Sequence, residues 1–132
     1  MIELHVVAGA LFDAQRRVLI AQRPPGKHMA GGWEFPGGKI AAGEAPLAGL
    51  MRELHEELGV TVRDAAPLIA YHHDYPDRRV LLDLWRVLRF DGDPQPREGQ
   101  ALQWATLAEL DGVGLLEADR PMIAALRQLL GG

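Results

Sequence analysis

The chain contains no cysteine, which excludes disulfide staples, thiolate nucleophiles and thiolate metal sites and leaves carboxylates and five histidines as possible ligands. Hard, oxygen-favouring cations are the expected partners. Long apolar runs are missing too: the nearly uncharged stretch His5 to Phe12 falls far short of the roughly 20 residues that span a bilayer. No membrane association is expected. The N-terminus has no basic segment followed by an apolar run and a small-residue cleavage site, so a cytoplasmic location is the default. No basic block offsets the net charge of −4, which makes a nucleic acid polymer a poor partner. Small phosphorylated ligands stay open.

What is present describes one globular domain over residues 1–132, with 48% hydrophobic and 24% charged residues. Leu4 to Phe12 has strand composition, and Asp13 to Arg16 reads as a turn into a second strand, Val18 to Gln22, predicting a hairpin. A zone rich in Gly and Pro follows up to Gly43, broken by a short apolar piece at Trp33 to Phe35. Between Ala45 and Leu58 the residues Leu47, Leu50, Met51, Leu54 and Leu58 keep helical spacing, with Pro46 in the first turn and Gly59 at the stop. Gly49 inside that helix implies close packing or the approach of another backbone. Pro67 to Tyr75 and Arg79 to Phe90 predict a second hairpin, Leu102 to Ala105 a short strand, and Arg120 to Leu130 a last helix with Asp119 as N-cap. This order suggests an α+β domain with a mixed sheet packed between helices.

At about 100° per residue, Glu53, Glu56 and Glu57 share one face of the central helix, beside its apolar stripe. Like charges three or four residues apart destabilise a helix, so a cation such as Mg²⁺ or Mn²⁺ is the natural compensation. A solvated acidic face is the commoner explanation for glutamate pairs alone. The wider context decides otherwise. Gly38, Glu44, Arg52, Glu53, Leu54, Glu56, Glu57, Gly59 and Val60 match G-x5-E-x7-R-E-U-x-E-E-x-G-U without a gap, U being aliphatic. At average residue usage the chance of such a match is on the order of 10⁻⁸ to 10⁻⁷.

This pattern, the Nudix box at residues 38–60, makes the sequence resemble the Nudix hydrolases, and it looks most like the MutT branch. His28-Met29-Ala30, Glu34 to Ile40, Tyr75 to Arg78, Glu98-Gly99-Gln100 and Ala118 to Ala124 extend the likeness. The resemblance implies a Nudix-type α/β/α sandwich and Mg²⁺-dependent hydrolysis of a nucleoside triphosphate to the monophosphate and pyrophosphate, with 8-oxo-dGTP, and the ribonucleotide too, as substrate. Mn²⁺ is expected to substitute, and the chain is taken as a monomer. By resemblance Gly37, Glu53, Glu56, Glu57 and Glu98 are metal ligands, Glu53 is the first choice of base, and Arg52 fixes its carboxylate. Glu44 has two readings: a carboxylate favoured at the helix start, or a supporting or alternative base.

Arg23 and Lys39 are available to phosphates, Gly38 allows close approach, and His28, Phe35 and Arg78 resemble the family's nucleotide pocket. Asp119 stands where MutT-like enzymes usually carry an Asn that grips the base. An ionised Asp only accepts hydrogen bonds, so the change weakens purine recognition, preserves it through protonation, or redirects it. The alternative substrates are an ordinary or modified pyrimidine triphosphate and dihydroneopterin triphosphate. His72 and His73 point to opposite faces of a strand and receive no role, and Trp33, Trp85 and Trp104 are read as packing anchors.

Overall fold

The computed structural model describes residues 2–131. Its elements run β1 (Ile2–Ala10), β2 (Val18–Gln22), β3 (Trp33–Glu34), β4 (Gly37–Lys39), α1 (Pro46–Leu58), β5 (Thr61–Tyr75), β6 (Arg78–Asp91), β7 (Ala101–Ala105) and α2 (Arg120–Leu130), with 3₁₀ segments at Glu109–Asp111 and Glu117–Asp119. A four-stranded mixed sheet has the order β4-β1-β6-β5, and a three-stranded sheet has the order β3-β2-β7.

Two apolar layers hold the helices on either side. Leu50, Leu54 and Leu58 of α1 pack with Val7, Leu11, Leu19, Val60, Val62 and Val87. Met122, Ile123 and Leu126 of α2 pack with Ala8, Ala10, Val18, Ile20, Leu82 and Leu84. Alternate residues of β1 thus feed opposite layers, as the two-residue period of a strand requires. Each fully buried leucine contributes roughly 1.5–3 kcal/mol. Trp33 packs against the α2-side cluster, and Trp85 and Trp104 against the α1-side cluster, in keeping with their reading as anchors.

The expected hairpin between β1 and β2 does not continue beyond its turn. Asp13 Oδ1 accepts from the backbone N–H groups of Gln15 and Arg17 at 3.0 and 2.8 Å, and pairing ends near the Phe12–Val18 bridge. β1 then runs parallel to β6 and antiparallel to β4, which leaves it no free edge for β2. The second hairpin is real but longer: β5 begins at Thr61, six residues before Pro67. Pro67 is tolerated because β5 is an edge strand with register shifts at Val62/Asp64, Asp64/Ala65 and Pro67/Ile69.

Helix α1 has Pro46 in its first turn and stops at Gly59, whose φ of 73° is the left-handed cap that glycine adopts without strain. A Cβ on Gly49 would lie 2.3 Å from Ile40 Cγ2, so close packing against the preceding loop explains that glycine. Two members of the expected apolar stripe, Leu47 and Met51, are exposed because they lie at the edge of the face that α1 turns to the sheet. Asp119 does not cap α2 with its side chain; the carboxylate is engaged elsewhere.

Candidate active site

A cleft of about 560 Å³ opens between the two sheets and is lined by residues from β1 to β6, α1, the β7-preceding loop and the start of α2. Carboxylates occupy both ends. At one end stand Glu53, Glu57 and Glu98 with Gly37, Gly38 and Lys39, and at the other stand Asp119, Phe35 and Ala118. His28, Arg23, Tyr75 and Arg78 line the cleft as well.

The α1 end is built on close backbone approach. A Cβ on Gly37 would fall 1.9 Å from the Val7 carbonyl oxygen, and one on Gly38 would fall 2.4 Å from the Glu53 carboxyl carbon. The two glycines thus let β4 lie against β1 and admit the Glu53 side chain. Gly37 N–H donates to Glu57 Oε2 at 3.2 Å. Burial first, then the charges of Glu98, Glu53 and Glu34, push the Glu57 carboxyl up to about 8.

Arg52 organises its neighbours. Its Nε and Nη2 donate to the two oxygens of Glu44 at 2.8 and 2.9 Å, while Nη1 donates to Glu53 Oε1 at 2.9 Å. Nη2 also reaches the Lys39 carbonyl at 3.1 Å, and Nη1 lies 3.4 Å from Glu56 Oε2. The Arg52 bonds, and then the Ala41 N–H, hold the Glu44 carboxyl down at about 2. So low a proton affinity suits an anchor better than a base. Glu56 is half exposed and stands outside the cleft lining, so the three carboxylates expected on one face divide into two that enter the cleft and one at its rim.

Glu98 reaches the cleft because its loop is docked on the C-terminal end of α1. Gln95 and Arg97 donate backbone N–H groups to the carbonyls of Leu58 and Glu57 at 2.9 and 3.2 Å. Gln100, buried, donates from Nε2 to the Glu57 carbonyl at 3.1 Å and accepts the Glu98 N–H at 2.9 Å.

At the other end, Asp119 is 7% exposed and its Oδ2 accepts from Phe35 N–H at 3.1 Å. Burial is the main reason its carboxyl rises to about 7; the Phe35 bond opposes the rise, and the charges of Glu34 and Arg23 act in opposite directions. Phe35 is both core and cleft wall. Arg78 lies 5.7 Å from the centroid of the Tyr75 ring, and its buried Nε has no hydrogen-bond partner. The His28 and Tyr75 rings meet edge to face at 6.4 Å.

The NUDIX domain model matches residues 7–125 of this chain. The chain belongs to the Nudix family. It is 44% identical over 133 residues to a putative 8-oxo-dGTP diphosphatase 2 of Mycobacterium tuberculosis, covering all of this chain and 94% of the relative. The 8-oxo-dGTP diphosphatase of Escherichia coli K12 is 36% identical over 129 residues, covering 98% of this chain and 100% of that protein. A CTP pyrophosphohydrolase of the same organism is 35% identical, covering 93% and 91% of the two chains. A solved structure of MutT, from a study of Aliivibrio salmonicida and Vibrio cholerae, superposes with a TM-score of 0.80 at 37% identity, covering 94% of this chain and 96% of that one. The chain is thus a MutT-like Nudix hydrolase, an enzyme acting on phosphoric anhydrides.

Divalent-metal dependence is general in Nudix hydrolases, and the donor chemistry of this one fits a hard cation. Glu57 is surrounded by like charges that a cation would offset. Among the described residues no three carboxylates or imidazoles converge as a ready ligand set, so the side chains of Glu53, Glu57 and Glu98 would have to turn toward one point to share an ion. No helix is long and apolar enough to cross a membrane.

Three residues of this Nudix hydrolase take positions that residue type alone does not predict. Arg23, expected to be free for phosphate, is tied to Glu34 by Nε at 2.9 Å and Nη2 at 3.2 Å, and its Nη1 donates to the His28 carbonyl at 2.9 Å. Glu34, which the sequence marks only as part of the segment at residues 34–40, lines the cleft. Its pairing with Arg23, eleven residues earlier, depends on the β2–β3 register, where Gln22 faces Trp33 and Ala21 faces Glu34. Gln100 likewise was visible only as part of the Glu98-Gly99-Gln100 segment.

Proposed function

We propose that this Nudix hydrolase converts 8-oxo-dGTP, and its ribonucleotide, to the monophosphate and pyrophosphate and so keeps the oxidised base out of nucleic acid. The observation that carries this reading is the pairing of a carboxylate-rich end and a buried, acceptor-bearing end in one cleft. A triphosphate lies with its phosphates toward Glu53, Glu57 and Glu98 and its base toward Phe35 and Asp119.

Gly37, Glu53, Glu56, Glu57 and Glu98 are the proposed holders of Mg²⁺, with Mn²⁺ as substitute. When bound, the cation supplies charge neutralisation on phosphate oxygens and a lowered pKa for an adjacent water. Glu53 orients or deprotonates the water. Arg52 fixes the Glu53 carboxylate, and Glu44 fixes Arg52 in turn. Arg78, whose Nε makes no hydrogen bond and lies 3.7 Å from Asp77, offers a donor to the phosphate or sugar, while Lys39 faces the phosphate end. Gly38 keeps the wall beside Glu53 thin, and His28 closes the nucleotide side. Arg23 contributes to substrate through its hold on the loop as well as by charge.

Base choice follows from hydrogen-bond polarity. Guanine N7 is an acceptor, whereas the oxidised base carries N7–H. A carboxylate oxygen attracts the second and repels the first, and in a buried site such a mismatch is costly. With its carboxyl near 7, Asp119 also carries a proton part of the time at neutral pH, which restores the donor that an Asn would provide. The CTP pyrophosphohydrolase relative favours a second reading, since the same acceptor suits the amino group of cytosine. Pyrophosphate release with Mg²⁺ on 8-oxo-dGTP, dGTP, dCTP and a modified dCTP, at equal low concentration, separates the two. A lead of tenfold or more for 8-oxo-dGTP over dGTP is the expected order of magnitude, whereas a cytosine winner would transfer the assignment to the second reading.

A further inference from the structure

Asp119 sits on the 3₁₀ segment Glu117–Asp119, and the way that segment is held differs on its two sides. On the β3 side it is fixed by backbone: Leu116 N–H donates to the Trp33 carbonyl at 2.8 Å, and Trp33 N–H donates to the Gly114 carbonyl at 3.1 Å. Asp119 N–H closes the turn on the Leu116 carbonyl at 3.0 Å. On the β5 side, the Tyr71 hydroxyl donates to the Ala118 carbonyl at 2.5 Å, across 47 positions of sequence. Among the described residues this is the one side-chain hydrogen bond made to the backbone of the segment.

The Tyr71 ring does not need its hydroxyl to pack. Tyr71 pairs with Leu82 across β5 and β6, and its ring lies against the α2-side core, where phenylalanine would bury the same surface. Placing a hydroxyl there is unfavourable unless it finds an acceptor. Burial first, and then the Asp119 charge, raise the phenol above its ordinary range, so the group stays a donor throughout the working pH range. The acceptor it finds is the carbonyl of the residue just before the buried carboxylate.

We infer that Tyr71 is a positioning residue for base recognition: by holding the Ala118 carbonyl it fixes the segment that carries Asp119 and sets how that carboxylate meets the nucleobase. The inference rests on the reading of Asp119 given above. Without the hydroxyl, the segment keeps its β3 attachments but loses its tie to β5, and the carboxylate is free to shift about the Phe35 contact. Small displacements matter at a site whose discrimination comes from buried hydrogen bonds. The phosphate end, attached to α1 and β4, has no such dependence on Tyr71.

The experiment compares the full-length protein with Tyr71→Phe and, separately, Asp119→Ala. Steady-state kcat and KM are measured with Mg²⁺ on 8-oxo-dGTP and dGTP, together with Tm. Tyr71→Phe is expected to lower the ratio of kcat/KM for 8-oxo-dGTP over dGTP about fivefold, the scale of one lost hydrogen bond. The loss should sit mainly in KM for the oxidised substrate, with kcat at saturation within about twofold. A fall in Tm with equal losses on both substrates would mark a purely structural tyrosine and overturn the inference. A ratio that collapses in Asp119→Ala but is untouched in Tyr71→Phe would also overturn it while leaving the reading of Asp119 standing. If neither substitution moves the ratio, the reading of Asp119 itself is wrong.

Discussion

The two ends of the cleft both use carboxylates, but they set them in opposite surroundings. At the α1 end the charges of Glu53 and Glu98 act on buried Glu57, near an arginine that is already engaged by Glu44. At the α2 end Asp119 is buried with one backbone donor, and the charges of Glu34 and Arg23 act on it in opposite directions. Burial, and then the charges of Glu98, Glu53 and Glu34, raise the proton affinity of Glu57, which is the setting a divalent cation relieves. Burial is the main cause of the raised proton affinity of Asp119, which would suit a group that chooses between donor and acceptor partners. On the proposed function, one protein would obtain a cation-holding group and a base-reading group from the same chemical function.

The contrast breaks most sharply at Glu53. Glu53→Gln should lower kcat about a thousandfold or more while altering KM and base preference little, because the change acts at the reacting end. Initial rates across the same panel of triphosphates check this, and a variant with near-normal turnover would remove Glu53 from its proposed role. Arg52→Ala should cost about 10- to 100-fold in kcat, since the Glu53 carboxylate loses its orienting partner while the cleft keeps its shape. Arg52→Lys, which cannot reproduce the fork that grips Glu44, should recover only part of that activity.

Stability against pH sharpens the comparison. Folded Glu57 and Asp119 keep protons to about 8 and about 7, whereas the unfolded chain releases them near 4, so the folded state binds more protons in between. In EDTA, stability should therefore fall as pH rises from about 4 through 8. Asp119→Asn should remove the part lost up to about pH 7, worth up to about 4 kcal/mol, and Glu57→Gln should remove the part that continues toward about 8. Mg²⁺ should restore much of the loss in the parent and little of it in Glu57→Gln. Chemical denaturation at several pH values, with and without Mg²⁺, reads all of these slopes; a flat profile in the parent would contradict both assignments.

Much of the site was legible because it lies on one element. Helical spacing put Glu53 and Glu57 on the side of α1 that lines the cleft, with Glu56 left at its rim, and Pro46 and Gly59 marked the ends of α1. The parts that escaped depend on distant partners. The divergence of β1 from β2 follows from β6 occupying the parallel edge of β1, a pairing between strands about seventy residues apart. The start of β5 at Thr61 was hidden by Pro67, which is acceptable only on an edge strand with irregular register. The polar residue at 119, before Pro121, has the pattern of an N-cap, yet its carboxylate serves the Phe35 N–H, 84 positions away. The Arg23–Glu34 pair was likewise invisible to composition, since the charges meet only once β2 and β3 are in register.

The division of labour between the two ends is tested most directly by kcat and kcat/KM of the parent and Asp119→Ala on 8-oxo-dGTP and dGTP with Mg²⁺. The account predicts that the parent prefers the oxidised substrate by about tenfold or more, and that the substitution brings the ratio close to one while kcat on dGTP stays within a few-fold. A ratio unchanged by the substitution, or a loss of kcat equal on both substrates, would show that the buried end does not read the base.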